Sequence, residues 1–267
     1  MRAFLLLRGV FRRVGERRFA PIMARVSGRQ GRRNVTEELR STSSAVSAQR
    51  YTVLEALKSP ALLIDMLKSY FGLRRRAEPV RDAAALQRFL ETRASFVAQT
   101  SLYGYLRTRA GTRYPELFDD DAFVVSINIA KWQIWLDCLG DLACFAGGAL
   151  VRAGHDPAQV GALVRRLVGD ILTATGVPHD CGEEFGAHAQ RVRERLEACD
   201  WAAMTDDEGP FAESPGSLVH WAPVVQEFKV LDAEIVQNSV RFRWQEIRRD
   251  LRANLDPAGV MAGAVEV

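Results

Sequence analysis

The chain has 267 residues, 48% hydrophobic and 26% charged, which is the balance of a globular protein with one core of ordinary size. Its net charge of +3 averages two unlike pieces: residues 1–76 carry 17 Lys and Arg against 5 Asp and Glu, a balance of +12, and residues 77–267 carry 19 against 28, a balance of −9. The acidic body excludes nucleic acid as an expected partner, and four cysteines (Cys138, Cys144, Cys181, Cys199) in so long a chain exclude a secreted disulfide framework and point to a reducing compartment.

Residues 1–20, MRAFLLLRGVFRRVGERRFA, are patterned as a basic amphipathic helix, with Ala3, Phe4, Leu7, Val10, Phe11 and Val14 on one side and Arg2, Arg12, Arg13 and Arg17 on the other. Poor in acids, the stretch fits a mitochondrial-type transit peptide or a helix lying on an anionic membrane; a translation start placed too far upstream, with Met23 or Met66 the true beginning, accounts for it equally. Residues 24–50, rich in Arg, Ser, Gly and Thr without periodicity, are expected to be disordered, so 1–49 is set apart as a leader. Residues 50–81 read as linker helices, the second opening at Ser59-Pro60 and ending in MLKSYFGLRRR (66–76), an apolar-then-basic stretch suited to an anionic bilayer or to a solvated helix end.

The body, 82–254, is expected to be all-α, a single domain of about five helices with no strand pattern. Its first helix starts after Asp82 and stops near Gly111, with Leu86, Phe89, Leu90, Phe96, Val97, Tyr103 and Leu106 at helical spacing. The segment SLYGYLRTRAGTRYPELF interleaves Arg107, Arg109 and Arg113 with tyrosines, as a grip on a phosphate or carboxylate or as partners for the acids at 119–121. Asp119 to Val151 then reads as the long central helix: acids at its start, an apolar body without proline, and charges at Lys131, Asp137 and Asp141 that break the apolar content into runs too short for a membrane span. A polar line Ser126, Gln133, Asp137, Asp141 follows one side, and Ala143, Ala146, Gly147 and Gly148 leave a surface without bulk for a second helix or a ligand. Buried, the two acids need partners, for which arginines of YLRTRAGTRY or Arg241 and Arg243 are the expected source; at a solvated edge they need none.

Gly154 closes the central helix, and Asp156-Pro157 opens a third that runs to Gly176. Asp180 and Glu183 mark the start of a fourth helix through Cys199. Residues 205–222 read as a long loop. The last helix, from about Pro223 to Ala253, sets Phe228, Leu231, Ile235 and Phe242 on one face, and 255–267 read as a flexible tail.

Motifs for chemistry are sparse. The chain lacks G-x-S-x-G, the Walker P-loop pattern and a dinucleotide fingerprint, so no cofactor is expected. Glu184 and His188 at i, i+4 form one pair without the second that a helical di-metal site needs, and no metal site is expected. Cys181, beside His179 near a helix start, fits a capping or packing thiol better than a reactive one. Ser214, Ser217 and His220 share the expected loop, where a serine and a histidine near an acid could compose a triad, with Ser217 and His220 as the candidate nucleophile and base.

The pieces YGYLRTRAGTRYPELFDDDAFVVSINIAKWQIW, with Gly104 as its glycine, and EFKVLDAEIVQNSVRFRWQEIRRDLR (227–252) resemble a family of small uncharacterised bacterial proteins, some labelled esterase. The resemblance spans residues 66–254 and implies ester hydrolysis as an alternative activity, without catalytic residues to carry over. From the residues themselves, the expected function is a non-enzymatic helical adaptor or assembly factor. A protein partner is expected, with an anionic membrane surface as a second contact through the leader, at the cytoplasmic face of an inner membrane or in the mitochondrial matrix. Arg107, Arg109, Arg113, Lys131, Asp137 and Asp141 are the candidate binding residues.

Overall fold

The computed structural model describes residues 78–204 and 209–262. The expected leader helix, the 24–50 segment, the linker helices with their basic turn and the last residues of the tail lie outside these bounds. Among the described residues the protein is all-α, with seven α-helices: α1 (Ala83–Ala110), α2 (Asp121–Arg152), α3 (Pro157–Thr175), α4 (Phe185–Glu197), α5 (Ser214–Trp221), α6 (Gln226–Asn254) and α7 (Pro257–Ala262). A 3-10 stretch, Gly111–Asp119, joins α1 to α2, and an isolated parallel bridge pairs Val80 with Leu255.

The helix ends follow from the capping residues. The Asp82 side chain accepts from the Ala85 N–H at 2.6 Å and Asp156 from that of Gln159 at 2.9 Å, and Asp120 accepts from the N–H groups of Ala122 and Phe123. Gly111 and Gly176, at φ 56 and 62, end α1 and α3 in a conformation that a side chain would resist. These ends stand where the residues place them. Helix α2 packs against α1, α3, α4, α5 and α6, so the others form a ring around it. From Gln133 to Gly148 every residue except Asp137 is buried. By length and composition α2 could cross a membrane, and 83% of its most apolar window is buried inside the bundle.

Trp201, beyond the end of α4, fills the surface without bulk on α2. A Cβ on Gly147 would lie 2.3 Å from its Cζ3, and one on Gly161 of α3 would lie 2.6 Å from its Nε1, so the indole occupies a slot cut by two glycines. Its N–H has no hydrogen-bond partner and its exposure is 6%; shape and apolar contact hold it.

Three expectations are corrected. The loop expected at 205–222 contains α5, whose Pro215 stands in the first turn, preceded by the short 3-10 turn Gly209–Phe211. The fourth helix begins at Phe185, because the Asp180 carboxylate is taken by the Trp132 N–H at 2.7 Å and does not cap it. Helix α6 buries Val236, Val240, Trp244, Ile247 and Leu251, while the face that carries Leu231, Ile235 and Phe242 points out, these three being more than 70% exposed. The tail is anchored as far as Met261: Asp256 N–H donates to the Val80 carbonyl at 2.9 Å, and Val260 and Met261 are buried as α7 meets α1.

Alanine at an interior helical glycine ordinarily stabilises by ~1 kcal/mol. Gly147→Ala is expected to reverse that sign and cost about 1–3 kcal/mol, because the methyl overlaps the indole. Trp201→Ala should cost about 3–5 kcal/mol. In the double variant the methyl enters the vacated slot, so urea titration should return a loss well below the sum; additive losses would show that the two residues do not share a slot.

Candidate functional site

Gln133, Asp137 and Asp141 stand at i, i+4 and i+8 on one face of α2, and α4 runs beside that face in the same direction. His188 meets Asp137, Val192 meets Gly140, and Arg195 meets Asp141. The result is a polar seam inside an apolar bundle, floored by α5 and α6.

At one end the His188 ring is held at both nitrogens. Gln133 Nε2 donates to the Cys181 carbonyl at 3.2 Å, which turns its amide oxygen toward His188 Nδ1, 2.6 Å away. That nitrogen therefore carries a hydrogen. Nε2 lies 2.7 Å from Asp137 Oδ1, with Trp221 stacked at a centroid distance of 6.4 Å. With both nitrogens engaged by Gln133 and Asp137, neither is free to take a serine proton or to ligate a metal. Glu184 faces solvent, and the described residues contain no group of three or more His, Cys, Asp and Glu that could hold a metal ion.

At the other end Asp141 is wholly buried among hydrogen-bond donors. Arg195 Nη1 donates to Oδ1 at 2.7 Å, the Ser214 N–H to Oδ2 at 2.8 Å, and the Glu213 N–H to Oδ1 at 3.4 Å. Arg195 donates its other terminal nitrogen to the Pro210 carbonyl at 3.0 Å, and Ser214 Oγ accepts from Trp244 Nε1 at 2.9 Å. Burial pushes the Asp141 carboxyl up to about 6, against the pull of Arg195 and Ser214. Burial acts on Arg195 in the opposite sense, yet the Asp141 charge beside it keeps the guanidinium above its ordinary value. The two shifts agree for neutral pH, where both groups are ionised. The partners expected for these acids, the YLRTRAGTRY arginines or Arg241 and Arg243, are replaced by His188 and Arg195, because α4 presents both along the face it turns to α2.

The remaining candidates do not converge on the seam. Arg109 makes a two-pronged bond to Asp232 of α6 and lies 4.5 Å over the Phe228 ring, while the Tyr105 hydroxyl donates to the same carboxylate at 3.0 Å. Arg109 holds Asp232 below the usual carboxylate range, and burial with that bond pushes Tyr105 up to about 12. Arg113 pairs with Glu116 at 2.8 Å, and Arg107 is exposed. Lys131 lies 3.5 Å from Asp180 and over the Trp132 ring. Ser217 is buried with a hydroxyl that has no hydrogen-bond partner; His220 is exposed with its ring edge-on to Trp221, and no hydrogen bond joins the two. Burial raises the Cys181 thiol, and the Asp180 charge adds to the rise. Arg195 was the functional group missed from sequence. Its signal was polar residues on the inner stripe of α4, where Phe185, His188, Val192 and Leu196 recur. Compared with protein-family models, curated proteins and solved structures, the chain has no match.

Between the ordinary 3.8 and about 6 the folded chain holds a proton on Asp141 that the unfolded chain has released. Stability contributed through this group therefore falls as pH rises from about 4 to 6 and is level above, by at most ~1.4 kcal/mol per pH unit. Asp141→Asn should remove this slope, so the wild-type-minus-variant difference in unfolding free energy declines over that window and is flat from pH 7 to 8. A difference that rises between pH 4 and 6 would mean that the ion pair outweighs burial.

Proposed function

We propose that this protein is a non-enzymatic helical adaptor or assembly factor that holds an apolar partner segment on the outer face of α6. It works at the cytoplasmic or matrix face of a membrane, and the basic leader supplies the contact with anionic lipid. The observation that carries the reading is that α6 is apolar on two sides. One side is built into the bundle, while Val230, Leu231, Ile235 and Phe242 stand 69–74% exposed on the other. Leu231, Ile235 and Phe242 follow the i, i+4, i+11 spacing of a single helical stripe, edged by exposed Glu227, Glu234 and Asn238. Contiguous apolar surface with a polar rim is what a partner covers, and each such side chain is worth roughly 1.5–3 kcal/mol when fully buried. Arg109, clamped on Asp232 and stacked on Phe228, ties this part of α6 to α1 and gives the stripe a stiff backing. The occupied His188 ring and the paired Asp141 suit a seam that supports structure rather than turnover.

A photo-crosslinking residue placed at position 235 of the full chain in cells should yield one discrete cross-linked product, lost when Leu231→Asp is added. The same residue at Gln190, exposed on α4, should yield none. Equal products from both positions, or none from 235, would refute the docking face. Flotation with anionic liposomes should carry the full chain and leave residues 77–267 behind. The runner-up, a small-ester hydrolase, rests on the buried unpartnered Ser217 hydroxyl. On the adaptor reading, p-nitrophenyl acetate is not turned over above buffer by the wild type, and Ser217→Ala and His220→Ala change nothing.

A further inference from the structure

The parallel contact of α2 with α4 continues beyond the seam. Asp137 meets His188, Gly140 meets Val192, Asp141 meets Arg195, and Gly147 meets Trp201. Between the last two rungs, Asp141 with Arg195 and Gly147 with Trp201, the register sets Cys144 opposite Cys199, and each thiol is the main influence on the other. Cys144 is buried on α2, and Cys199 is half-buried where the chain leaves α4.

We propose that Cys144 and Cys199 are a redox pair that a peroxide converts into an intramolecular disulfide, with Cys199 as the attacking residue. Cys199 is the only one of the four cysteines not fully buried, and it lies beside the Arg195 guanidinium. Cys144 beside it lowers the Cys199 thiol from its ordinary value, helped by Arg195, the direction that favours attack on a peroxide. The Cys144 thiol is raised by Cys199 and by burial, so it keeps its proton in the resting pair and gives it up only in the second step. In the first step the Cys199 sulfur attacks one peroxide oxygen and the O–O bond breaks; the sulfur keeps a hydroxyl, and hydroxide leaves as water with the Cys199 proton. In the second, Cys144 sulfur attacks Cys199 sulfur, the S–S bond forms, the S–O bond breaks, and hydroxide leaves with the Cys144 proton. Two thiols lose two electrons, one peroxide gains them, and two waters are released. The bond would pin the segment that carries Trp201 against α2, fixing the indole in its glycine slot.

Cys138 and Cys181, both buried and outside this register, are internal controls. Treating the full chain with hydrogen peroxide should lower the thiols titrated after denaturation from four to two, and dithiothreitol should restore all four. Tryptic mapping without reductant should join peptide 132–152 to peptide 196–229, with fragment ions between positions 138 and 144 placing the link on Cys144. Cys199→Ser should retain its three thiols through the same treatment, while Cys138→Ser should still lose two. A count that stays at four, Cys199 carried to sulfinic or sulfonic acid without a link, or a Cys199 bridge between two chains would each overturn the proposal. The wild-type peptide map decides alone if a serine variant does not fold.

Discussion

One carboxylate in the middle of an apolar helix constrains much of this bundle. Asp141 lies in a stretch of α2 where nothing reaches water, and an ionised group there without partners would cost several kcal/mol. Four chain segments answer it. Arg195 comes from α4, the Ser214 and Glu213 N–H groups from the start of α5, Pro210 from the turn before it, and Trp244 of α6 steadies Ser214 from behind. Because the start of α5 would otherwise have unsatisfied N–H groups, the charge and the helix end satisfy each other. A slip of any of these segments by a turn would strand the carboxylate or the guanidinium. The pair thus specifies one arrangement among many that apolar burial would tolerate almost equally.

Much of the fold was legible because it is written in local terms. Asp82, Asp120, Asp156, Gly111 and Gly176 act within one turn of their own position, so capping rules find the ends of α1, α2 and α3. The apolar surround of α2 likewise announces burial without knowledge of the neighbours. What failed depends on distant residues. The inward face of α6 is not written locally, because the helix is apolar on two sides and periodicity alone does not say which side the bundle takes. α5 escaped notice for a different reason: Pro, Gly and acids around it mimic a loop, and its start is stabilised by Asp141, more than seventy residues away.

The candidate site divides in the same way. The line Gln133, Asp137, Asp141 is visible from spacing alone, as is the need for partners. Their identity is not, since α1, α4 and α6 all offer arginines and only packing chooses among them. Arg109 was singled out as a ligand grip and turned out to be a brace between α1 and α6, a reminder that a guanidinium among tyrosines serves a carboxylate of its own chain as readily as one from outside. Gly147 and Gly148 suggested room for a helix or ligand, and a tryptophan from the same chain fills the place at Gly147.

The bridge between Val80 and Leu255 has a consequence for how the protein is made. It joins residues 175 positions apart, and closing a loop of that length costs on the order of 4–5 kcal/mol of chain entropy before any contact rewards it. Helix α7, which packs on α1 with Val260 and Met261 buried, is synthesised after the other six described helices. While the ribosome is still extending the chain, the surface of α1 that α7 will cover is open, and α2 already carries an apolar circumference longer than its early neighbours can enclose. The nascent bundle therefore passes through a stage with its core helix partly uncovered, closed only as α5 and α6 arrive.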